Sequence, residues 1–223
     1  MSQFMLGVIA SLVASVVFSV CATFLLSRHF RKHVALAFSL LSGSGVEYVY
    51  RSDREAEEDM LRYMRRSRTA KIMSMRAHRI LIEDRPLHFL VSPECPVKEI
   101  RILLADPDGH NTEARALEYS RIKPSMSPEV YKHDIRDSIT KVGAYAAKDD
   151  RITLRLHEEP AFIRLLIIDD YLFLSYFLAD VSGDESVVFR VARLSPLYRA
   201  IDRYFEWTWT QRSREHQPMF LSK

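Results

Sequence analysis

Residues 163–178 read IRLLIIDDYLFLSYFL. Two apolar runs of strand length are split by Asp169-Asp170, an acidic pair suited to a turn. Within each run nearly every position is apolar, not every second one. A strand with one wet face alternates, whereas a strand covered on both faces does not. The stretch therefore predicts two central strands, over 161–168 and 172–178, in a sheet packed on both sides.

Working outward, Ile152 to His157 (ITLRLH) and Val187 to Val191 (VVFRV) read as further strands. Glu99 to Ala105 (EIRILLA) is another, closed by the turn signal Asp106-Pro107-Asp108-Gly109. Lys71 to Met75 (KIMSM) reads as a short one. Between the strands lie helix signatures. Ser52-Asp53-Arg54-Glu55 has the form of a capping box and opens a helix with Met60, Leu61 and Met64 on one side. A second helix is predicted from Asn111 or Thr112 through Tyr119. Ser127-Pro128 and Ser195-Pro196 each place a cap before a proline, where the missing N–H costs nothing. The first opens a helix past Val130, Ile135, Ile139 and Val142. The second opens a helix with Leu197, Ile201, Tyr204, Phe205 and Trp209 available for packing. The expected class is α/β, a mixed β-sheet flanked by helices. The polar tail from Gln211 is expected to fray.

Composition agrees. The chain has 223 residues, 48% apolar and 27% charged, with 6 Gly and 9 Pro, which excludes collagen-like and disordered classes. Two cysteines, Cys21 and Cys95, exclude a disulfide scaffold or an all-cysteine zinc module and fit a reducing compartment. A net charge of +3 does not by itself point to nucleic acid, and nucleic-acid binding is not expected.

The 32 basic and 29 acidic side chains all lie after residue 27. Phe4 to Leu26, FMLGVIASLVASVVFSVCATFLL, carries no ionisable side chain except the thiol of Cys21. As a helix it spans roughly 34 Å, enough to cross a hydrocarbon core of roughly 30 Å. No basic region precedes it, as a cleaved signal peptide requires. Arg28, Arg31 and Lys32 follow it directly, which orients the segment N-out and C-in. The reading is a single-pass signal anchor in the cell inner membrane, with the rest of the chain cytoplasmic. Gly7, Ser11, Ser15 and Ser19 recur every fourth residue, on one helix face. They read either as a self-association face, making a homo-oligomer, or as ordinary small residues of a membrane helix. Ser42-Gly43-Ser44-Gly45 reads as a hinge. The organisation expected is anchor 1–27, juxtamembrane segment and hinge 28–51, cytoplasmic domain 52–212 and flexible tail 213–223.

The order strand, Asp-Pro-Asp turn, helix, helix, then FIRLLIIDDYLFLS and a terminal aromatic helix resembles the phospholipase D-like superfamily. The resemblance covers roughly residues 55 to 210. It is closest to single-copy members with degenerate motifs, through IRILLADPD (Ile100 to Asp108) and IRLLIIDD (Ile163 to Asp170). Active members carry His-x-Lys, four residues, then Asp. On that frame Phe162 stands at the nucleophilic histidine, Arg164 at the lysine and Asp169 at the aspartate. The resemblance implies loss of the nucleophile, since a phenyl ring cannot attack phosphorus. It also implies retention of anion binding, since arginine holds phosphate with a planar fork. The expected function is a membrane-anchored, catalytically inactive sensor or effector module in bacterial signalling or defence. Arg164, Asp169 and His157 would line an anion site for a nucleotide or phospholipid headgroup, and a protein partner is a further possibility. The alternative is a membrane-bound phosphodiesterase, phospholipase or nuclease, using His157 or another nucleophile.

No cofactor or metal is expected. His157-Glu158-Glu159 with Asp169-Asp170 lacks the accompanying ligand spacing and reads as solvated strand ends. His110 beside Asp106 and Asp108 reads as a surface turn. Arg62, Arg65, Arg66, Arg68 and Lys71 read either as headgroup contacts or as a solvated helix face balanced by Glu55, Glu57, Glu58 and Asp59. Trp207 and Trp209 cannot share one helix side, so one packs and one lies nearer solvent.

Overall fold

The structure, a computed structural model, describes residues 44–77, 81, 85–160, 163–176 and 186–216. In chain order the elements are β1 (Val46–Tyr50), α1 (Asp53–Met64), β2 (Thr69–Ser74), a 3₁₀ turn (Pro86–Val91) and β3 (Glu99–Ala105). There follow α2 (His110–Ile122), α3 (Pro128–Ala146), β4 (Ile152–His157), β5 (Ile163–Ile168), β6 (Tyr171–Tyr176), β7 (Val188–Ala192), α4 (Pro196–Gln211) and β8 (Ser213–Glu215).

All eight strands form one sheet in the order β1-β7-β6-β5-β2-β3-β4-β8. β2, β3 and β4 are parallel, and β5 runs antiparallel to β2. From β5 outward to β1 every pairing is antiparallel. The short Asp169-Asp170 turn dictates that arrangement for β5 and β6, because a two-residue connection cannot join parallel strands. The parallel strands are joined by long crossovers, the one from β3 to β4 carrying α2 and α3.

The sheet separates two cores. The larger packs α1, α2 and α3 against Ile72, Ile102, Leu104, Leu166, Ile168 and Phe173. The smaller packs Tyr198 and Phe205 of α4 against Met73, Leu103, Leu165, Ile167, Leu172 and Leu174. β5 and β6 feed both, with Leu165 and Ile168 at 0% exposure on opposite faces, so the unbroken apolar run has its physical reason. Ser52, Ser127 and Ser195 all cap their helices, each side chain accepting from the backbone N–H three residues on.

The domain extends further at both ends than the boundaries 52–212 set from sequence. Val46–Tyr50, placed there in the hinge segment, is an edge strand on β7, and Tyr48 and Tyr50 bury their rings in the larger core. Ser213–Glu215, placed in the tail, pairs with β4. A five-residue and a three-residue edge strand are too short to give a decisive period. The segment read as a membrane span, with Gly7, Ser11, Ser15 and Ser19, lies outside the described residues. Among the described residues no helix is long and apolar enough to cross a membrane.

Candidate functional site

The carboxyl ends of β2, β3 and β4 lie along one edge of the sheet, where β5 begins and β6 ends. In open α/β sheets this edge is where ligands bind. It gathers Ser74, Asp106, His157, Arg164 and Ser175.

Arg164 and Ser175 are register partners on β5 and β6. An Arg164 Nη2–H donates to Ser175 Oγ at 3.3 Å. Alternation with Leu166 and Ile168 turns Arg164 to the face that carries the larger core. There it meets Asp53, the first residue of α1, in an ion pair through Arg164 Nη2. Asp53 is 1% exposed. The capping box fixes that helix end: Ser52 Oγ accepts from the Glu55 N–H, and the Glu55 carboxylate accepts from the Arg51 N–H at 2.8 Å. One turn on, Glu57 pairs with Arg85 at 2.5 Å.

These residues wall a small, partly open cleft. Asp53, Glu57, Arg85, Arg164 and Ser175 form its polar side, over a floor that includes Ile72 and Phe173. Among the described residues, two carboxylates and two guanidinium groups line it. The Arg164 guanidinium is thus already engaged by Asp53.

The three residues assigned by sequence to one anion site are spread over the sheet. Asp169 sits at the far end of β5, five residues or about 17 Å of strand from Arg164. It closes the β5–β6 turn with φ of 39°. Its carboxylate accepts from the Arg68 N–H at 2.8 Å, the Thr69 N–H at 2.9 Å and the Thr69 hydroxyl at 2.7 Å. Burial works against that charge, but these donors outweigh it and hold the carboxyl below its usual range. Asp169 thus ties the turn to the start of β2.

His157 shares the sheet edge with Arg164 but, by alternation with Leu154 and Leu156, faces away from it. It is 2% exposed. Its Nδ1 accepts from the Glu159 N–H at 3.1 Å, which makes Nε2 the protonated nitrogen. Nε2 faces the Ser74 backbone without closing a full hydrogen bond. Burial drives the imidazole down to about 4, against smaller raising effects from Ser74 and Asp106. It is neutral at physiological pH. Phe162 lies outside the described residues.

Of the other candidates, His110 is exposed. Glu159 accepts from the Tyr204 hydroxyl at 3.1 Å. Asp106 is buried and accepts twice from Arg214 of β8, at 2.9 and 2.6 Å. Among the described residues no group of three His, Cys, Asp or Glu side chains is placed to hold a metal ion. The basic run divides. Arg62 pairs with Glu58 and Asp59, Arg65, Arg66 and Arg68 are exposed, and Lys71 turns under α4 to Asp202 and Glu206.

Sequence reasoning missed Asp53, Glu57, Arg85 and Ser175. For Asp53 a signal existed. It begins the stripe Asp53, Ala56, Met60, Met64, which is the buried face of α1, and an acid heading an apolar stripe calls for a buried partner. Ser175 required the register, which no single strand carries.

No family model matches the chain, and no curated protein matches it. Among solved structures it is similar to TrmBL2, an archaeal chromatin protein described as showing a novel mode of DNA binding. The identity is 12% and the TM-score 0.46, with 94% of this chain and 70% of that one covered. A likeness that slight bears on neither fold nor function here.

Proposed function

We propose that the chain is a membrane-anchored, phospholipase D-like module without catalysis, which senses a small anion or anionic headgroup in the Arg164 cleft. The observation that carries the reading is the Arg164–Ser175 pair facing Asp53 at the carboxyl edge of the parallel strands. A phosphate fits the fork of Arg164 and takes a further hydrogen bond from Ser175. It must displace Asp53, and Asp53 is the first residue of α1, so occupancy of the cleft is felt at a helix end. That coupling is how binding would be signalled to a partner or to a second copy of the chain.

The enzyme alternative finds its named nucleophile poorly placed, because His157 is buried on the other side of the sheet edge. The test is a titration of the detergent-solubilised full chain with inorganic phosphate, glycerophosphate and a nucleotide panel. Binding of at least one of these, weakened about tenfold or more in Arg164→Ala, is the expected outcome. A chain indifferent to all of them ends the sensor reading. Turnover of a phosphodiester, nucleic acid or phospholipid that disappears in His157→Ala replaces it with the enzyme.

A further inference from the structure

We infer that the outer face of α4 is a docking surface for an anionic lipid bilayer. The inference rests on the anchor reading of residues 4–26, and goes beyond it by saying which side of the domain meets the membrane.

The exposed residues of α4 are Pro196, Arg199, Ala200, Arg203, Trp207 and Thr210, with Gln211 ending the helix. At 3.6 residues per turn they fall within an arc of about 120°. Neither acid of α4 lies in that arc. Asp202 and Glu206, with side chains 31% and 39% exposed, pair instead with Lys71 and Arg101 of the sheet. The outer face therefore presents Arg199 and Arg203 uncompensated by its own helix. Trp207 stands beside them, 42% exposed, with the Arg212 guanidinium 5.2 Å from its ring centroid. Leu194, just before the helix, is 85% exposed. Guanidinium groups flanking an exposed indole and leucine form the pattern of a surface that lies in a headgroup layer.

The path of the chain selects the occupant. The described chain begins at Ser44, and Gly45 lies hard against Ser195, the N-cap of α4. A Cβ built on Gly45 would come within 1.8 Å of the Ser195 Cβ. Whatever leads out of residues 1–43 therefore enters the domain at the start of α4. A bilayer holding residues 4–26 is tethered to that end of the molecule. Seventeen residues separate Leu26 from Ser44, a leash of at most about 60 Å. With the C-terminal side cytoplasmic, the leaflet facing α4 is the anionic one, where each arginine near the surface contributes about 1 kcal/mol.

The full chain has two tryptophans, and Trp209 lies on the inner side of α4 against the smaller core, so quenching from a bilayer reports on Trp207. The test reconstitutes the full chain into vesicles with brominated acyl chains. One set is phosphatidylcholine alone, the other phosphatidylcholine with phosphatidylglycerol. We expect quenching about twofold stronger in the anionic vesicles, lost in Trp207→Phe and in the exposed double variant Arg199→Glu/Arg203→Glu. Equal quenching in both vesicle types, or quenching indifferent to the charge reversal, overturns the proposal. Alkaline extraction from the neutral vesicles reports the anchor separately. A chain that is extracted there, yet still shows Arg-dependent quenching with anionic vesicles, keeps the docking face and loses the anchor.

Discussion

Asp169 and His157 show how position along a strand, more than residue type, sets a side chain's role. The carboxylate of Asp169 is held below its ordinary range by donors from Arg68 and Thr69, so its contribution to stability is complete above the unfolded value near 4 and is lost as pH falls through the folded one. Asp169→Ala is expected to destabilise by about 2–3 kcal/mol at neutral pH, read by urea unfolding. His157 works through the opposite imbalance. Its folded value of about 4 lies below the unfolded value near 6.5, so the unfolded chain binds the extra proton. Stability should therefore fall as pH drops from about 6.5 toward 4, by on the order of 3 kcal/mol. His157→Gln should flatten that part of the profile; a variant with an unchanged slope would refute the assignment. Arg164 and Asp53 form a buried pair, and removing one partner leaves the other's charge buried. Arg164→Ala is expected to cost about 3 kcal/mol, and Asp53→Leu/Arg164→Met less than either single change.

At the scale of elements, α4 is held from below by cations on the sheet. Arg101 forks onto Glu206 at 2.8 and 2.9 Å and lies 5.8 and 5.6 Å from the centroids of Phe205 and Trp209. Lys71 adds Asp202 and Glu206, and Arg155 lies 5.4 Å from the Trp209 centroid. Burial alone would raise the Glu206 carboxyl, but Arg101 and Lys71 bring it below its usual range. Arg101→Lys keeps the charge and loses the fork and the ring contact, so a loss of about 1–2 kcal/mol is expected in thermal or urea unfolding. Gly45 has φ of 75° and no room for a methyl group, so Gly45→Ala should loosen β1 from the start of α4 and cost more than about 2 kcal/mol. Three of the four helices, α1, α3 and α4, were legible because each starts with a serine cap, and the central strands because both their faces are apolar. β1 and β8 were not. What holds them is pairing to β7 and β4, aromatic burial by Tyr48 and Tyr50, and the Arg214–Asp106 ion pair, all between residues distant in sequence.

For the whole molecule, a three-layer α/β/α body collects the ends of its parallel strands on one edge and offers a cleft there. Arg164 stood out in the sequence from its place in IRLLIIDD. Its partner Asp53 did not, because it lies 111 residues away in sequence and reaches Arg164 only once α1 has packed on β5 and β6. Competition between Asp53 and an incoming anion is the central claim. Its most direct measurement is the affinity of the full chain for inorganic phosphate in wild type, Arg164→Ala and Asp53→Asn, followed by calorimetry. Asp53→Asn is expected to bind about tenfold tighter than wild type, since a neutral amide yields the guanidinium more readily, and Arg164→Ala about tenfold weaker or not at all. Phosphate affinity unchanged across all three chains would contradict it.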